Sequence, residues 1–302
     1  MMKLNDCLKA SQSQLFRALL RQYREKCISR QGQFVLVRGE VPVMLVAHMD
    51  TVHKEQVRTI CSSEDGNILM SPQGIGGDDR CGVFALQSIY ATVRKKPWLL
   101  FTCDEETGGH GAREFVREYE QKKLPSGLDD MKMLIELDRK GSNDAVFYDC
   151  DNPEFEEYIN RCGFQTQYGS FSDISVLAPA MGVAAVNLSS SYYNAHTQHE
   201  CINRRHLDKT IAKVVKMVEA AARDDFPRYE YIECVWGADW RHYGGYVYEI
   251  PKNLPKAYKK QYRILLDYYT ERELERFRQV YGDGILQQLY EDIYGYLEQG
   301  GE

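Results

Sequence analysis

The sequence predicts an α/β protein: a mixed, mostly parallel sheet flanked by helices on both faces. Three observations lead there. Apolar strand-like runs alternate with amphipathic helical stretches, the pattern of a sheet covered by helices. Metal-ligand residue types gather directly after those runs, where the sites of open α/β sheets form. The 302 residues can bury roughly three quarters of the unfolded chain's surface, so folding needs no disulfide or structural metal.

The elements follow in order. Residues 11–28 place Leu15, Leu19, Leu20 and Tyr23 at helical spacing behind Ser11 as a cap. Short strands are expected at Phe34–Val37 and Val43–Ala47. Residues 56–71 alternate around Glu64-Asp65-Gly66-Asn67, a hairpin signal. A helix is expected from about Arg80 to Arg94, a strand at Trp98–Thr102, and a helix from Ala112 to about Lys122. Met133–Leu137 reads as a buried strand with a partner at Ala145–Tyr148. A helix over 153–162, a strand at Val183–Val186 and a long helix over 206–223 complete this part.

Beyond Phe226-Pro227 the composition changes. Thirteen of the 21 tyrosines fall between Tyr229 and Tyr296, and the alternation of helix and strand stops. Helical spacing returns at Leu286, Leu289, Ile293 and Leu297. The sequence therefore predicts a main domain over 1–226 and a Tyr-rich, mainly helical extension over 227–302, read as a packing appendage. No internal repeat is visible.

Composition excludes several classes. With 43% hydrophobic and 27% charged residues the chain is neither collagen-like, low-complexity nor mostly disordered. A net charge of −6 gives no general electrostatic case for nucleic acid or an anionic membrane. No apolar run reaches the ~18 residues of a membrane helix, and the polar start Met1–Cys7 lacks a signal-peptide core. The nine cysteines are odd in number, widely spaced and without a C-x-x-C pair, so the expectation is a reduced, cytoplasmic protein.

Chemistry concentrates at strand ends. Strand 43–47 leads into His48-Met49-Asp50, strand 98–102 into Asp104-Glu105-Glu106, strand 133–137 into Asp138, and strand 183–186 into a polar loop reaching His196. Gly74-Ile75-Gly76-Gly77-Asp78-Asp79 stands immediately before a helix, where its glycines allow close backbone approach. Two His and several carboxylates suit zinc or a similar divalent ion. His48 and Asp50 occupy alternate strand positions on one face, so Asp50 can hold the imidazole tautomer. The adjacent Glu105 and Glu106 repel unless cations or protons offset them. One carboxylate on metal and the other taking a proton from water is a physical reason to keep both.

Five segments in order resemble the M20/M28 clan of dinuclear zinc exopeptidases. They are Val46–Val52, Gly77–Gly82, Thr102–Gly108, Leu137-Asp138 and Asn194–Glu200. The resemblance implies roles position by position. Asp78 corresponds to the carboxylate bridging two Zn2+, a pair that Co2+ or Mn2+ could replace. His48 and Asp138 complete one ion, Glu106 and His196 the other, Glu105 is the general base, and Asp50 orients His48. His196 and His199 could each be the last ligand; the family's final His stands four residues before a Glu, and Glu200 fits His196. Only 57 residues separate Asp138 from His196 and 29 separate His48 from Asp78, which leaves no room for the lid or inserted domain of some relatives. A compact M28-like form is implied.

The implied function is an aminopeptidase acting on small peptides or amides. A deacylase or carboxypeptidase using the same metals is the alternative. A non-catalytic binding protein on this fold is the rival from another class, opposed by the presence of every expected ligand and the base. Elsewhere, Asp79 reads as a helix-start carboxylate. His110 reads as a structural residue at a helix start, His53, His206 and His242 as surface or packing residues, and Cys81, Cys103 and Cys201 as small buried hydrophobes. Asp173, Tyr192 and Tyr193 are candidates to touch substrate.

Overall fold

The computed structural model describes residues 1–169, 171–233, 253–255, 258–266, 269 and 271–298. His242 and Cys234 therefore lie outside the described residues. The chain divides into two compact units, Met1–Gln167 with Phe171–Cys234, and Tyr168–Ser170 with Val235–Glu302.

In the first unit the strands of the large sheet are β1 (Cys27–Arg30), β2 (Phe34–Val37), β3 (Val41–His48), β6 (Pro97–Thr102), β7 (Met133–Arg139), β8 (Asp144–Val146), β9 (Gln165–Gln167) and β10 (Ala185–Ser189). Their spatial order is β1-β2-β6-β3-β7-β10-β8-β9. The central four strands run parallel, with Val46 of β3 level with Leu100 of β6 and Glu136 of β7. The pairs β1–β2, β2–β6 and β8–β10 are antiparallel, so the sheet is mixed.

Helices cover both faces, as the sequence predicts. On one side Val43, Leu45 and Ala47 of β3 pack with residues of α1 (Leu4–Lys9), α2 (Gln12–Tyr23), α3 (Gly77–Thr92), α5 (Pro153–Arg161) and α7 (Arg204–Ala221). On the other, Met44 and Val46 join Ala112 and Phe115 of α4 (His110–Glu120) and Ile174 and Leu177 of α6 (Ile174–Met181). The alternation of neighbouring residues between two cores is the strand's two-residue period, and it fixes the register of β3. A smaller antiparallel sheet has the order β11-β12-β5-β4, from β4 (Cys61–Ser62), β5 (Ile68–Met70), β11 (Tyr192–Tyr193) and β12 (Cys201–Asn203).

Three expectations change. The strand expected to partner Met133–Leu137 forms β8 but pairs with β10 and β9 instead, because β10 lies between it and β7. The helix expected over 11–28 ends at Tyr23, because Cys27–Arg30 pairs antiparallel with Phe34–Val37 and becomes strand β1. The strand expected at Val183–Val186 runs instead over Ala185–Ser189, set by its pairing with β7. Ser11 does cap α2: its hydroxyl accepts from Gln14 N at 3.3 Å.

The second unit, taken by itself, contains α8 (Lys259–Leu265), α9 (Glu271–Tyr281) and α10 (Ile285–Glu298) around a small core of Leu254, Tyr262, Leu265, Leu274 and Leu286. Among the described residues no helix is long and apolar enough to cross a membrane. The eight described cysteines are all free thiols.

Candidate metal centre

Parallel strands β6, β3 and β7 end side by side, so the residues that follow them meet. Asp78 lies at the centre. Its Oδ1 is 3.2 Å from His48 Nε2, and its Oδ2 is 3.2 Å from His196 Nε2. Each imidazole has a second carboxylate: Asp138 Oδ1 is 3.4 Å from His48 Nε2, and Glu106 Oε2 is 3.2 Å from His196 Nε2. All five residues named from the sequence as ligands thus converge, whereas His199 is exposed.

Behind this group, Asp50 Oδ1 lies 3.2 Å from His48 Nδ1 and accepts from Glu105 N at 3.1 Å, while its Oδ2 accepts from Glu106 N at 3.0 Å. One carboxylate therefore orients the His and fixes the backbone of both glutamates. Asp78 is presented by a glycine loop. Gly76 adopts φ 61°, a left-handed conformation suited to glycine, and a Cβ on Gly77 would stand 2.8 Å from Tyr192 Cβ. The Asp78–Asp79 peptide bond is cis. The backbone at Asp78 and Asp79 is not helical, so the regular part of α3 starts at Arg80, as its sequence suggests.

Asp79 fulfils part of its expected role, since its Oδ1 accepts from Gly82 N at 2.9 Å in the first turn. Its Oδ2 is buried without a hydrogen-bond partner, and an oxygen of this carboxylate lies within 4.8 Å of donor atoms of His48 and Asp138. Asp173 does not meet solvent: it is fully buried and accepts from the Thr102 hydroxyl. Tyr192 is buried as well, with its hydroxyl 3.1 Å from Asp138 O and 3.4 Å from Asp138 Oδ1. Tyr193 is half-buried, its hydroxyl 2.7 Å from His206 Nδ1. His53, expected at the surface or in packing, pairs with buried Glu200 at 2.6 Å.

The electrostatics follow from burying so many acids together. Burial pushes His48 down, but Asp138 and Asp50 outweigh it and raise the imidazole well above its usual range. Burial likewise opposes the charge on His196, yet Asp78 and Glu106 raise it to about 11. Burial, then repulsion from Asp78, lifts Asp138 to about 7. Glu105 is raised well above the usual carboxylate range and Glu106 is raised too, burial being the leading cause for both. For Asp78, burial is outweighed by hydrogen bonds to His196 and His48, which hold it below that range. A cluster of this kind must hold protons or cations.

The donor set fits a cation. Ligand atoms of His48, Asp78 and Glu106 lie within 4.8 Å of one another, as do those of His48, Asp79 and Asp138. Imidazole nitrogen with carboxylate oxygen suits zinc and its neighbours. The buried Glu106 Oε1 has no hydrogen-bond partner, which a cation would remedy.

Sequence reasoning missed several supports. Glu200 accepts from Gly76 N and Asp78 N, Asn187 Oδ1 accepts from Asp138 N at 2.9 Å, and buried Glu136 accepts from Ser172. Glu136 could have been noticed as a charge inside an apolar run, and Glu200 was visible only as the Glu that follows His196, without its bonds to the Asp78 loop; Asn187 and Ser172 have no local signal.

The fold is similar to that of several solved peptidases. It is similar to a tripeptidase from Staphylococcus aureus, with a TM-score of 0.56 at 14% identity over 73% of this chain and 97% of the other. Aminopeptidase PepT from Bacillus cereus gives 0.55 at 14% identity, over 73% and 97%. The TET aminopeptidase of a marine-sediment thaumarchaeon gives 0.53 at 11% identity, over 73% and 95%. At the level of sequence, no family model and no curated protein matches.

Proposed function

We propose that the protein is a metal-dependent exopeptidase, an aminopeptidase in the first instance, that works on small peptides with two zinc ions. The observation that carries this reading is Asp78, whose two oxygens each face a different imidazole, with a further carboxylate beside each. In this reading His48, Asp78 and Asp138 would hold one ion, and Asp78, Glu106 and His196 the other. Such ions, when bound, would acidify water and polarise the amide carbonyl.

The chain's own residues do the rest. Glu105 is the general base: its backbone is held by Asp50, and burial raises its carboxyl well above the usual carboxylate range. It takes a proton from water and delivers it to the leaving amine nitrogen. Asp50 keeps His48 Nδ1 occupied so that Nε2 faces Asp78 and Asp138. Glu106, Asp138 and Asp78 supply the charge that a cation pair requires.

The test pairs metal analysis with a panel of aminoacyl, acylamino and dipeptide substrates. The expected outcome is two equivalents of zinc and release of free N-terminal residues. Cleavage confined to acylamino substrates would assign a deacylase instead, and bound metal with no turnover on any amide would defeat the enzymatic reading.

A further inference from the structure

We infer that Gln12 is a positioning residue for the Glu105–Glu106 turn, acting through Asp104. Gln12 is the first residue of α2, set by the Ser11 cap. Its carboxamide grips Asp104 with both atoms: Nε2 donates to Asp104 Oδ1 at 2.8 Å, and Oε1 accepts from Asp104 N at 3.2 Å. Asp104 has φ 57°, left-handed backbone that costs a residue with a Cβ and so needs support. There the chain leaves β6 and turns into Glu105 and Glu106.

Three successive backbone N–H groups, of Asp104, Glu105 and Glu106, are thus taken by side chains from outside the turn. Gln12 holds the first and Asp50 the other two. Loss of either clamp leaves the turn held from one side. The α1–α2 junction braces other site loops as well. Arg80, next to Asp79, donates through Nη1 to Cys7 O at 3.3 Å and to Ala10 O, and Gln56 Nε2 donates to Lys9 O at 2.6 Å. The N-terminal helices therefore do more than cover the sheet. They fix the turn that carries Glu105 and Glu106. The catalytic part of this inference rests on the function proposed above; the positional part does not.

The test uses Q12A, Q12E and the double variant Q12E/D104N in the full chain. Q12E keeps an acceptor for Asp104 N but opposes two carboxylates. Adding D104N restores the side-chain bond with donor and acceptor exchanged. Three quantities are read: amide hydrogen exchange over 104–109 in metal-free protein, zinc affinity against a competing chelator, and kcat with KM. Q12A and Q12E are expected to speed exchange in this turn, weaken zinc about tenfold and lower kcat about tenfold with KM nearly unchanged. Q12E/D104N is expected to recover all three. Wild-type exchange and zinc affinity in Q12A, or a double variant no better than Q12E, overturns the inference. If Q12A does not fold, the comparison of Q12E with Q12E/D104N decides alone. If wild-type protein cleaves no amide, the proposed function fails while exchange and zinc affinity still judge the clamp.

Discussion

Glu200 accepts a 2.9 Å hydrogen bond from the backbone N–H of Asp78, 122 residues earlier in the chain. The same buried carboxylate accepts from Gly76 N at 3.1 Å and meets His53 Nε2 at 2.6 Å. The loop presenting Asp78 is therefore held by the residue just before β12. Glu200→Ala strands two backbone donors and an imidazole away from water. It should lower stability by about 2–4 kcal/mol in urea unfolding, against a smaller loss for Glu200→Gln. Equal stability of Glu200→Ala and wild type would contradict this anchoring.

A second expectation concerns Asp78 itself. Because its oxygens face both His48 and His196, Asp78→Asn should weaken metal retention at both positions rather than one. Less than about one equivalent of zinc should survive dialysis. A variant that keeps two tightly held ions would refute the bridging role.

The adjacent glutamates should separate catalysis from metal binding. Glu105→Gln should retain near-normal zinc while turnover falls by about 10²–10⁴-fold, with substrate affinity largely kept. Glu106→Gln should lose zinc and rate together. Stoichiometry and turnover measured on both in one preparation decide the matter: reversed zinc contents exchange the roles, and near-normal turnover of Glu105→Gln removes it as the base.

Protons and cations compete for this site. Without cations, neighbouring carboxylates raise His48 and His196, and burial raises Asp138, Glu105 and Glu106. Binding needs neutral imidazole and ionised carboxylate, so loading must expel protons and affinity must rise with pH. Zinc added to metal-free protein near pH 7 should release on the order of one proton per ion, seen as a buffer-dependent heat of binding. Zinc affinity that does not change between pH 6 and pH 8 would show that the site holds no such protons.

The large sheet was legible because its central strands are apolar runs, and His48, Glu106 and Asp138 were legible because they stand at or just after the ends of those runs. Elements made by pairing or by distant packing were not. β11 and β12 are two and three residues long, and β12 is defined by its alignment with β5. The helix α6 carries Pro179, which obscures its pattern. The residues that brace the site had the same difficulty. Gln12 and Asn187 are ordinary polar side chains whose meaning comes from what approaches them, 92 residues away for Gln12 and Asp104.

The donors come from two different sheets. His48 and Asp138 belong to strand ends of the large sheet and Glu106 to the turn after β6, whereas His196 lies between β11 and β12 of the small one. A cation held among them would act as a rivet. The small sheet's strands are two or three residues long, and strands so short are marginal on their own. Cation binding free energy is then also fastening energy for that sheet. On this account, stripping the metal should loosen β11 and β12 before the central strands β3 and β7.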